Sequence, residues 1–394
     1  MPFLSPGRRR RAALLAVPVL TLSAGLGLVG TVGSPAAAST ATTSPCHPYQ
    51  LPGGGEVVAM NDAGLYIGQV IDASGRHAAW WTHAGPDLST GWTVHVPDIP
   101  AVPAEFLDVN ASGVMSGYSR SLRKGFVYDS NTGDLTWLPD FASGYDSWAR
   151  RINASGVVSG SAVDDAGNPF AAIWRPPYTR AERVHAPGEN QNLTEDGTHF
   201  KVGSETDGIN DQGTVAGYTF VGGPVHDVPE WTHSKQWRNA YAPVWQAFTR
   251  SGSGRVTQLP AGYDLAIGFA INNDGLVVGA SLRGAPTATS WWVPAYWRNG
   301  VEHDMGAPAD AGDGIAYNVS QGGWATGGID LPDTMRSFVW TGAGTMQLNE
   351  PLPGYDGSWS HGVSDVLHQV AGSSGPLSSP TPTVWQCPAD FTTG

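Results

Sequence analysis

The sequence predicts an all-β fold, a seven-bladed β-propeller built from four-stranded blades. Three observations lead to this prediction. The 394 residues include 52 Gly and 30 Pro but only 14% charged residues, and helices favour the opposite composition. A pattern of the form aliphatic–Asn–x–x–Gly–x–x–x–Gly recurs along the chain. Each copy of the pattern is followed by a short apolar run that ends on an aromatic residue.

The repeated pattern predicts four strands in each unit. Asn bonds its own backbone and Gly accepts a positive φ, so Asn-x-x-Gly is a tight turn between the first two strands. The third strand carries the terminal aromatic residue, and the fourth runs towards a Leu-Pro step. Steps of 43 to 62 residues between units are typical of propeller blades. The repeat positions are Asn61, Asn110, Asn153, Asn210, Asn272, Ser320 and Ser364.

Two further landmarks accompany the repeat. The aromatic residues that end the third strands are predicted to be Trp80, Tyr128, Trp174, Trp245, Trp297, Trp340 and Trp385. The Leu-Pro steps that follow some units are Leu138-Pro139, Leu259-Pro260 and Leu352-Pro353.

One unit resembles a known repeat. Residues Ile152–Gly160, followed by Ala171-Ala172-Ile173-Trp174, resemble the repeat of the extracellular HAF-repeat family, in which Ile-Asn-x-x-Gly-x-Val-Val-Gly is paired with an Ala/Phe-x-Trp segment. The resemblance covers nearly all of residues 57–386. It implies a secreted, propeller-like bacterial repeat protein. It implies no particular activity, because the family has no single established one.

The first 38 residues have the features of a signal peptide. Four arginines at 8–11 precede an apolar stretch, and Ala36-Ala37-Ala38 forms an A-x-A cleavage site. The alternative is a membrane anchor, because the stretch is long enough to span a bilayer. Export by the general or the twin-arginine route stays open.

Cleavage would leave a flexible linker at 39–45 and a single propeller domain at 46–390. The mature chain would carry 17 basic and 34 acidic residues, a formal charge of −17. An acidic chain without clustered Lys and Arg is not expected to bind nucleic acid or anionic membranes. We expect no membrane span after cleavage, and a monomer.

The chain ends predict how the ring closes. Tyr49–Gly53 precedes the first repeat much as Thr257–Ala261 precedes the fifth, so the N-terminal strand should complete the last blade. Cys46 lies just before that strand and Cys387 just after the last third strand. Neighbouring strands and an oxidising compartment predict a Cys46–Cys387 disulfide, the alternative being two free thiols.

Irregular insertions mark the candidate site. With the predicted order of strands, the long segments 184–207, 221–240 and 281–294 lie on the same face of the propeller. Their tryptophans form an aromatic rim there. Aromatic faces with a few polar groups suit sugar rings, whose C–H faces stack on indole. The alternative is that these tryptophans only pack the loops onto the propeller. The candidate ligand-binding residues are Trp231, Trp237, Trp291, Trp292, His226, Asp227, Glu230 and His233.

The same rim leaves catalysis open. Asp227 could form an acid/base pair with Glu230, or with Glu205 and Asp207, for glycoside cleavage. The spacing from His226 to His233 is not a compact zinc pattern, so neither a metal nor a cofactor is expected.

We therefore expect a secreted binding module for an extracellular ligand, a glycan or a protein surface. The alternatives are a propeller glycoside hydrolase or lyase, and a structural exported protein without a discrete site. The sequence contains no Gly-x-Ser-x-Gly elbow, His-Glu-x-x-His motif or phosphate loop, which favours binding over catalysis.

Overall fold

The computed structural model describes residues 46–141, 146–165, 167–189, 192–195, 198–222, 245–261, 265–283, 291–342 and 344–391. These residues form seven antiparallel sheets, one for each repeat, and the predicted seven-bladed β-propeller is confirmed. In this part of the chain, no helix has the length and apolar character needed to cross a membrane.

The strands follow the blades in chain order, after one N-terminal strand. That strand is β1 (His47–Gln50). Blade 1 contains β2 (Gly55–Met60), β3 (Tyr66–Asp72), β4 (Gly75–His83) and β5 (Trp92–His95). Blade 2 contains β6 (Ala104–Val109), β7 (Val114–Ser119), β8 (Lys124–Asp129) and β9 (Leu135–Trp137). Blade 3 contains β10 (Ser147–Ile152), β11 (Val158–Val163), β12 (Pro169–Trp174) and β13 (Glu182–Arg183).

Blade 4 has five strands, and the last three blades follow the four-stranded plan. Blade 4 contains β14 (Asn192–Glu195), β15 (Thr198–Ile209), β16 (Val215–Gly222), β17 (Ala247–Arg250) and β18 (Val256–Gln258). Blade 5 contains β19 (Ala266–Ile271), β20 (Val277–Arg283), β21 (Trp291–Arg298) and β22 (Val301–Asp304). Blade 6 contains β23 (Gly314–Val319), β24 (Ala325–Asp330), β25 (Met335–Trp340) and β26 (Gln347–Leu348). Blade 7 contains β27 (Ser358–Ser364), β28 (Gln369–Ser374) and β29 (Thr381–Gln386).

The N-terminal strand closes the ring, as the sequence predicts. β1 pairs antiparallel with β29 and becomes the fourth strand of blade 7. Just beyond it, Leu51 N donates to Pro382 O at 3.0 Å. The Cys46–Cys387 disulfide joins the two strands, with a Cα–Cα separation of 4.0 Å, so this prediction is also confirmed.

The repeated asparagine has a second role that the sequence did not reveal. In blade 2, Asn110 Oδ1 accepts bonds from the backbone of Ser112 and Val114, both at 3.0 Å, and this fixes the predicted turn. Its Nδ2 donates to the carbonyl of Asn153 in blade 3 at 3.1 Å. The same bond to the next repeat position is made by Asn61, Asn110, Asn153, Asn210 and Asn272. The repeat therefore links neighbouring blades.

The second glycine of the repeat is explained by a β-bulge. The first repeat strand of each described blade bulges three residues before the Asn or Ser position. The bulge brings its backbone towards the second strand, and a Cβ on Gly160 would lie 1.8 Å from Trp148 O. Only glycine fits such a close approach. The glycines at this position are Gly68, Gly117, Gly160, Gly217, Gly279, Gly327 and Gly372.

The aromatic and Leu-Pro landmarks form one contact between blades. Trp174 is fully buried at the end of its strand, and its Nε1 donates to Pro139 O of the preceding blade at 2.7 Å. Trp297 makes the same bond to Pro260 O at 2.6 Å. Each such tryptophan therefore fills the space between two blades and ties the fourth strand of one to the third strand of the next.

Three of the predicted landmark positions are wrong. In blade 1 the buried tryptophan is Trp81, opposite Tyr66, and not Trp80. In blade 4 the strand ends at Arg250, whereas Trp245 precedes β17. In blade 1 the pattern cannot distinguish two adjacent tryptophans, and in blade 4 the equivalent position holds Arg250, which does not fit an aromatic pattern.

The third error concerns the Leu-Pro step of blade 6. Trp385 donates to Glu350 O, so Asn349-Glu350 holds the place that Leu352-Pro353 was predicted to hold.

The first insertion also differs from the prediction. The sequence predicts an irregular connection over 184–207, but β15 begins at Thr198 and pairs with β14 through a hairpin register of Asn192 opposite Lys201. Blade 4 therefore has an additional strand on the axis side of its first repeat strand.

Candidate functional site

The structure describes only part of the predicted rim. Trp231, Trp237, His226, Asp227, Glu230 and His233 lie outside the described residues. Trp291 and Trp292 begin β21, and the half-buried ring of Trp292 meets that of Trp245 edge-on at 6.4 Å.

Trp292 belongs to a larger group of rings that leads to the propeller axis. Tyr218 stacks on Trp245 at 5.8 Å and lies 5.8 Å from Phe269. Phe269 is 5.6 Å from Tyr317, which stacks on His361 at 4.5 Å. We call this group the aromatic arc, and it spans blades 4 to 7. Its members are Trp292, Trp245, Phe220, Tyr218, Phe269, Tyr317 and His361.

The last three members of the arc are bulge residues. The bulge places one residue from each blade beside the axis, three positions before the repeat Asn or Ser. Blades 5 to 7 supply aromatic rings there, whereas blades 3 and 4 supply charges. Several of these side chains are partly exposed, so solvent reaches this level of the axis. The bulge residues are Val58, Leu107, Arg150, Asp207, Phe269, Tyr317 and His361.

The charged side of the axis is organised by one guanidinium. Arg150 Nε lies 2.6 Å from Glu205 Oε1 and 3.1 Å from Asp207 Oδ1. Tyr218 Oη donates to Glu205 Oε2 at 3.2 Å. We call Arg150, Glu205 and Asp207 the axial cluster. The structure therefore brings together Glu205 and Asp207, two carboxylates that the sequence offered for acid/base chemistry.

A second arginine crosses the axis. Arg151 Nη2 donates to Tyr317 O of blade 6 at 2.8 Å, and its Nε donates to Asp207 O at 3.2 Å. Its Nη1 lies 3.7 Å from Asp108 Oδ1 of blade 2. On the side of the asparagine turns, these side chains form one wall of a cavity of about 210 Å³, which Asn318 also lines.

Burial shifts the proton affinities along the axis. Burial and, to a smaller extent, the neighbouring Glu205 carboxylate together raise the pKa of Asp207 to about 7, against the opposing effect of Arg150. Burial also raises the pKa of Glu56 and of Asp108. It lowers the pKa of His361 to about 3, with help from Arg151, so this ring is neutral near pH 7. Asp207, Asp108 and Glu56 therefore keep their protons to a higher pH than an exposed carboxyl group does.

The Asp207 shift predicts a pH dependence of stability. Between pH 3.8 and about 7 the folded state binds a proton at Asp207 that the unfolded state has released. The unfolding free energy contributed by Asp207 therefore falls as the pH rises through this window.

Asp207→Asn, whose amide imitates the protonated carboxyl, should lack this contribution. Urea unfolding of the wild type and of Asp207→Asn at several pH values in this window gives the difference between their unfolding free energies. The contributions of other groups, such as His361, whose pKa shifts in the opposite direction, are common to both proteins and cancel in this difference. Parallel pH profiles for the two proteins would contradict the assignment.

Arg150, Arg151, Tyr317 and His361 were not predicted as site residues. A signal was present, because three of them occupy one position of the repeat, three residues before the Asn or Ser. Because this part of the unit is repeated, it suggested a structural role. The residue at this position nevertheless differs from blade to blade, and that difference gives the axis its charged and aromatic sides.

Comparisons with known proteins concern the fold. No family model and no curated protein matches the chain. It is similar to the β-propeller domain of the Trilobed protease from Pyrococcus furiosus, with 11% identity and a TM-score of 0.45 over 88% of this chain and 96% of that one. It is also similar to Pyrococcus horikoshii acylaminoacyl peptidase, with 9% identity and a TM-score of 0.47 over 84% of this chain and 50% of that one.

A third similar structure is YCF48 bound to D1 peptide, with 10% identity and a TM-score of 0.44 over 90% of this chain and all of that one. At these identities the similarity is one of fold alone.

Proposed function

We propose that the protein is a secreted binding module of the HAF-repeat type, and that it binds an extracellular carbohydrate between the aromatic arc and the axial cluster. The observation that supports this most is the division of the axis into an aromatic side and a charged side. A sugar ring has an apolar C–H face and a hydroxyl edge, and it needs both kinds of surface.

The outer part of the arc is suited to such contacts. Trp245, Trp292 and Phe220 are each half-buried, so a ring face remains for a ligand. Trp245 Nε1 is buried and has no hydrogen-bond partner among the residues that the structure describes. Because a buried donor without an acceptor is costly, a ligand oxygen at this position would gain a bond that the protein alone lacks.

Secretion is supported by the disulfide and by the sequence of the first 38 residues. A disulfide that closes the ring persists in an oxidising compartment, where an exported chain folds.

Trp292→Ala is expected to weaken glycan binding about tenfold or more, because truncating a tryptophan that acts as a binding hot spot costs about 2 kcal/mol or more. The measurement is a glycan array on the mature protein, followed by titration with the strongest ligand. Trp137→Ala is the control, because Trp137 is also half-buried but packs against Phe126 in the outer part of blade 2. Equal affinities of the wild type and Trp292→Ala would contradict the site.

An assay for released reducing sugar on the same polysaccharides separates binding from hydrolysis. Glycosidases place two carboxyl groups on either side of the scissile bond. Glu205 and Asp207 instead lie on one strand and share one guanidinium, so we expect binding without release. Release of sugar would establish an enzyme and overturn the proposal.

A further inference from the structure

The axial cluster also indicates the charge of the ligand. We propose that the site takes a cationic carbohydrate, a sugar whose ring carries a free ammonium group, with that group held by Asp207 and the neighbouring rings. This inference rests on the proposed function and specifies its ligand class.

The first argument is that the buried Asp207 carboxylate has an ion pair with Arg150 but no hydrogen bond from the described residues. The residue is 5% exposed, and in the part of the chain that the structure describes no donor makes a hydrogen bond to either carboxylate oxygen, although Oδ1 lies 3.1 Å from Arg150 Nε. Burial of a carboxylate is costly unless donors or positive charges surround it. A ligand ammonium offers three donors and a full charge, which suits this position.

The second argument is the balance of charge around Asp207. Its own strand adds Glu205, β6 contributes Asp108, and β10 contributes Arg150 and Arg151. Within the described ranges, Tyr218, Tyr317 and His361 are the titratable neighbours that are neutral near pH 7. Three carboxyl groups thus face two guanidinium groups. When all three carboxyl groups are ionised, the group is short of one positive charge, which one ammonium group of the ligand would supply.

The third argument concerns the kind of cation. Tyr218 and Phe269 lie beside the axial cluster, and aromatic faces attract ammonium groups by about 0.5–2 kcal/mol. Among the described residues, no group of three or more His, Cys, Asp or Glu side chains is arranged to hold a metal ion. The rings and the carboxylate together therefore favour an organic ammonium over an inorganic cation.

The cation should also replace a proton. Asp207 is partly protonated near pH 7, and a bound ammonium favours its ionised form. Binding should therefore release a proton to the solvent, whereas a neutral sugar in the same place should not.

Two oligosaccharides of equal length test the inference, tetra-glucosamine and tetra-N-acetylglucosamine. N-acetylation removes the positive charge and leaves the sugar rings in place. Calorimetric titration near pH 6 should give the glucosamine oligomer at least about tenfold higher affinity, equivalent to about 1.4 kcal/mol. Repeating the titration in two buffers of different ionisation enthalpy measures the released proton on the wild-type protein.

Asp207→Asn should abolish both the preference for the glucosamine oligomer and the proton release, so that this variant binds the two oligomers with equal affinity. Asp98→Asn is the matched control, since it removes an exposed carboxylate outside the site and should behave like the wild type.

Equal affinity of the wild type for both oligomers, or an unchanged preference in Asp207→Asn, would overturn the cationic ligand. Binding of neutral glycans that Trp292→Ala weakens would then still support the proposed function. An array without any bound glycan, neutral or cationic, would overturn both.

Discussion

Gly327→Ala is expected to destabilise the propeller by about 3 kcal/mol, in the upper range for overpacking, and by more if the blade cannot adjust. A Cβ at this position would lie 1.9 Å from Ile315 O and 2.9 Å from the Phe338 ring. The carbonyl belongs to the bulged strand and cannot move without disturbing the following turn, in which Gly322 N donates to Asp365 Oδ1 of blade 7 at 2.9 Å. Relief of this overlap therefore requires a shift of backbone.

The adjacent Gly328 provides the control. A Cβ there would meet only Met335 Sδ at 3.5 Å and Trp359 Cβ at 3.7 Å, which are ordinary contacts. Gly328→Ala should change the unfolding free energy by less than about 1 kcal/mol, since most mild substitutions fall in this range. Chemical denaturation of both variants measures the contrast. Similar losses for the two variants would show that the bulge does not select glycine.

Removal of the Cys46–Cys387 disulfide is the second large effect that we expect. The bond closes a loop with a sequence separation of 341 residues. The chain-entropy model gives an upper value of roughly 6 kcal/mol for a loop of this length. The observed loss should be smaller, because β1 is also held by its hydrogen bonds to β29.

The measurement compares urea unfolding of the wild type, oxidised and reduced, with that of a Cys46→Ala/Cys387→Ala variant. The variant should match the reduced wild type and should not respond to the reductant. A loss below about 1 kcal/mol would mean that the strand pairing alone secures the ring. Two free thiols in the oxidised mature protein would contradict the bond itself.

The blades could be predicted because their signals are local. Asn110 and Gly113 meet within one turn, and turn chemistry depends on residues a few positions apart. The period of the repeat then gives the number of blades. The reason for Gly117 could not be obtained in the same way, because the carbonyl that excludes a Cβ belongs to the opposite strand.

The axial site was predicted only in part because its members come from different blades. Glu205 and Asp207 were considered as carboxylates, but their partner Arg150 is 55 residues from Glu205 in the sequence. Arg151 reaches a carbonyl 166 residues away. The sequence pattern predicts Trp245 at the end of the third strand of blade 4, because Trp245 ends a short apolar run. In the structure its ring instead stacks on Tyr218 in the aromatic arc. Such contacts form only when the ring of blades is closed. The residues that make them are not separated by a characteristic number of positions in the sequence, so no sequence motif reveals them.

The reach of Arg151 has a mechanical consequence. In an array of repeats, each unit touches only its neighbours, so stability is close to a sum of local terms and units can open one at a time. The hydrogen bond from Arg151 to Tyr317 O joins blades 3 and 6, which are not neighbours. Strain that opens one of these blades is transmitted to the other directly, and not only around the circumference. The propeller is thereby coupled across its diameter, which favours unfolding as one unit.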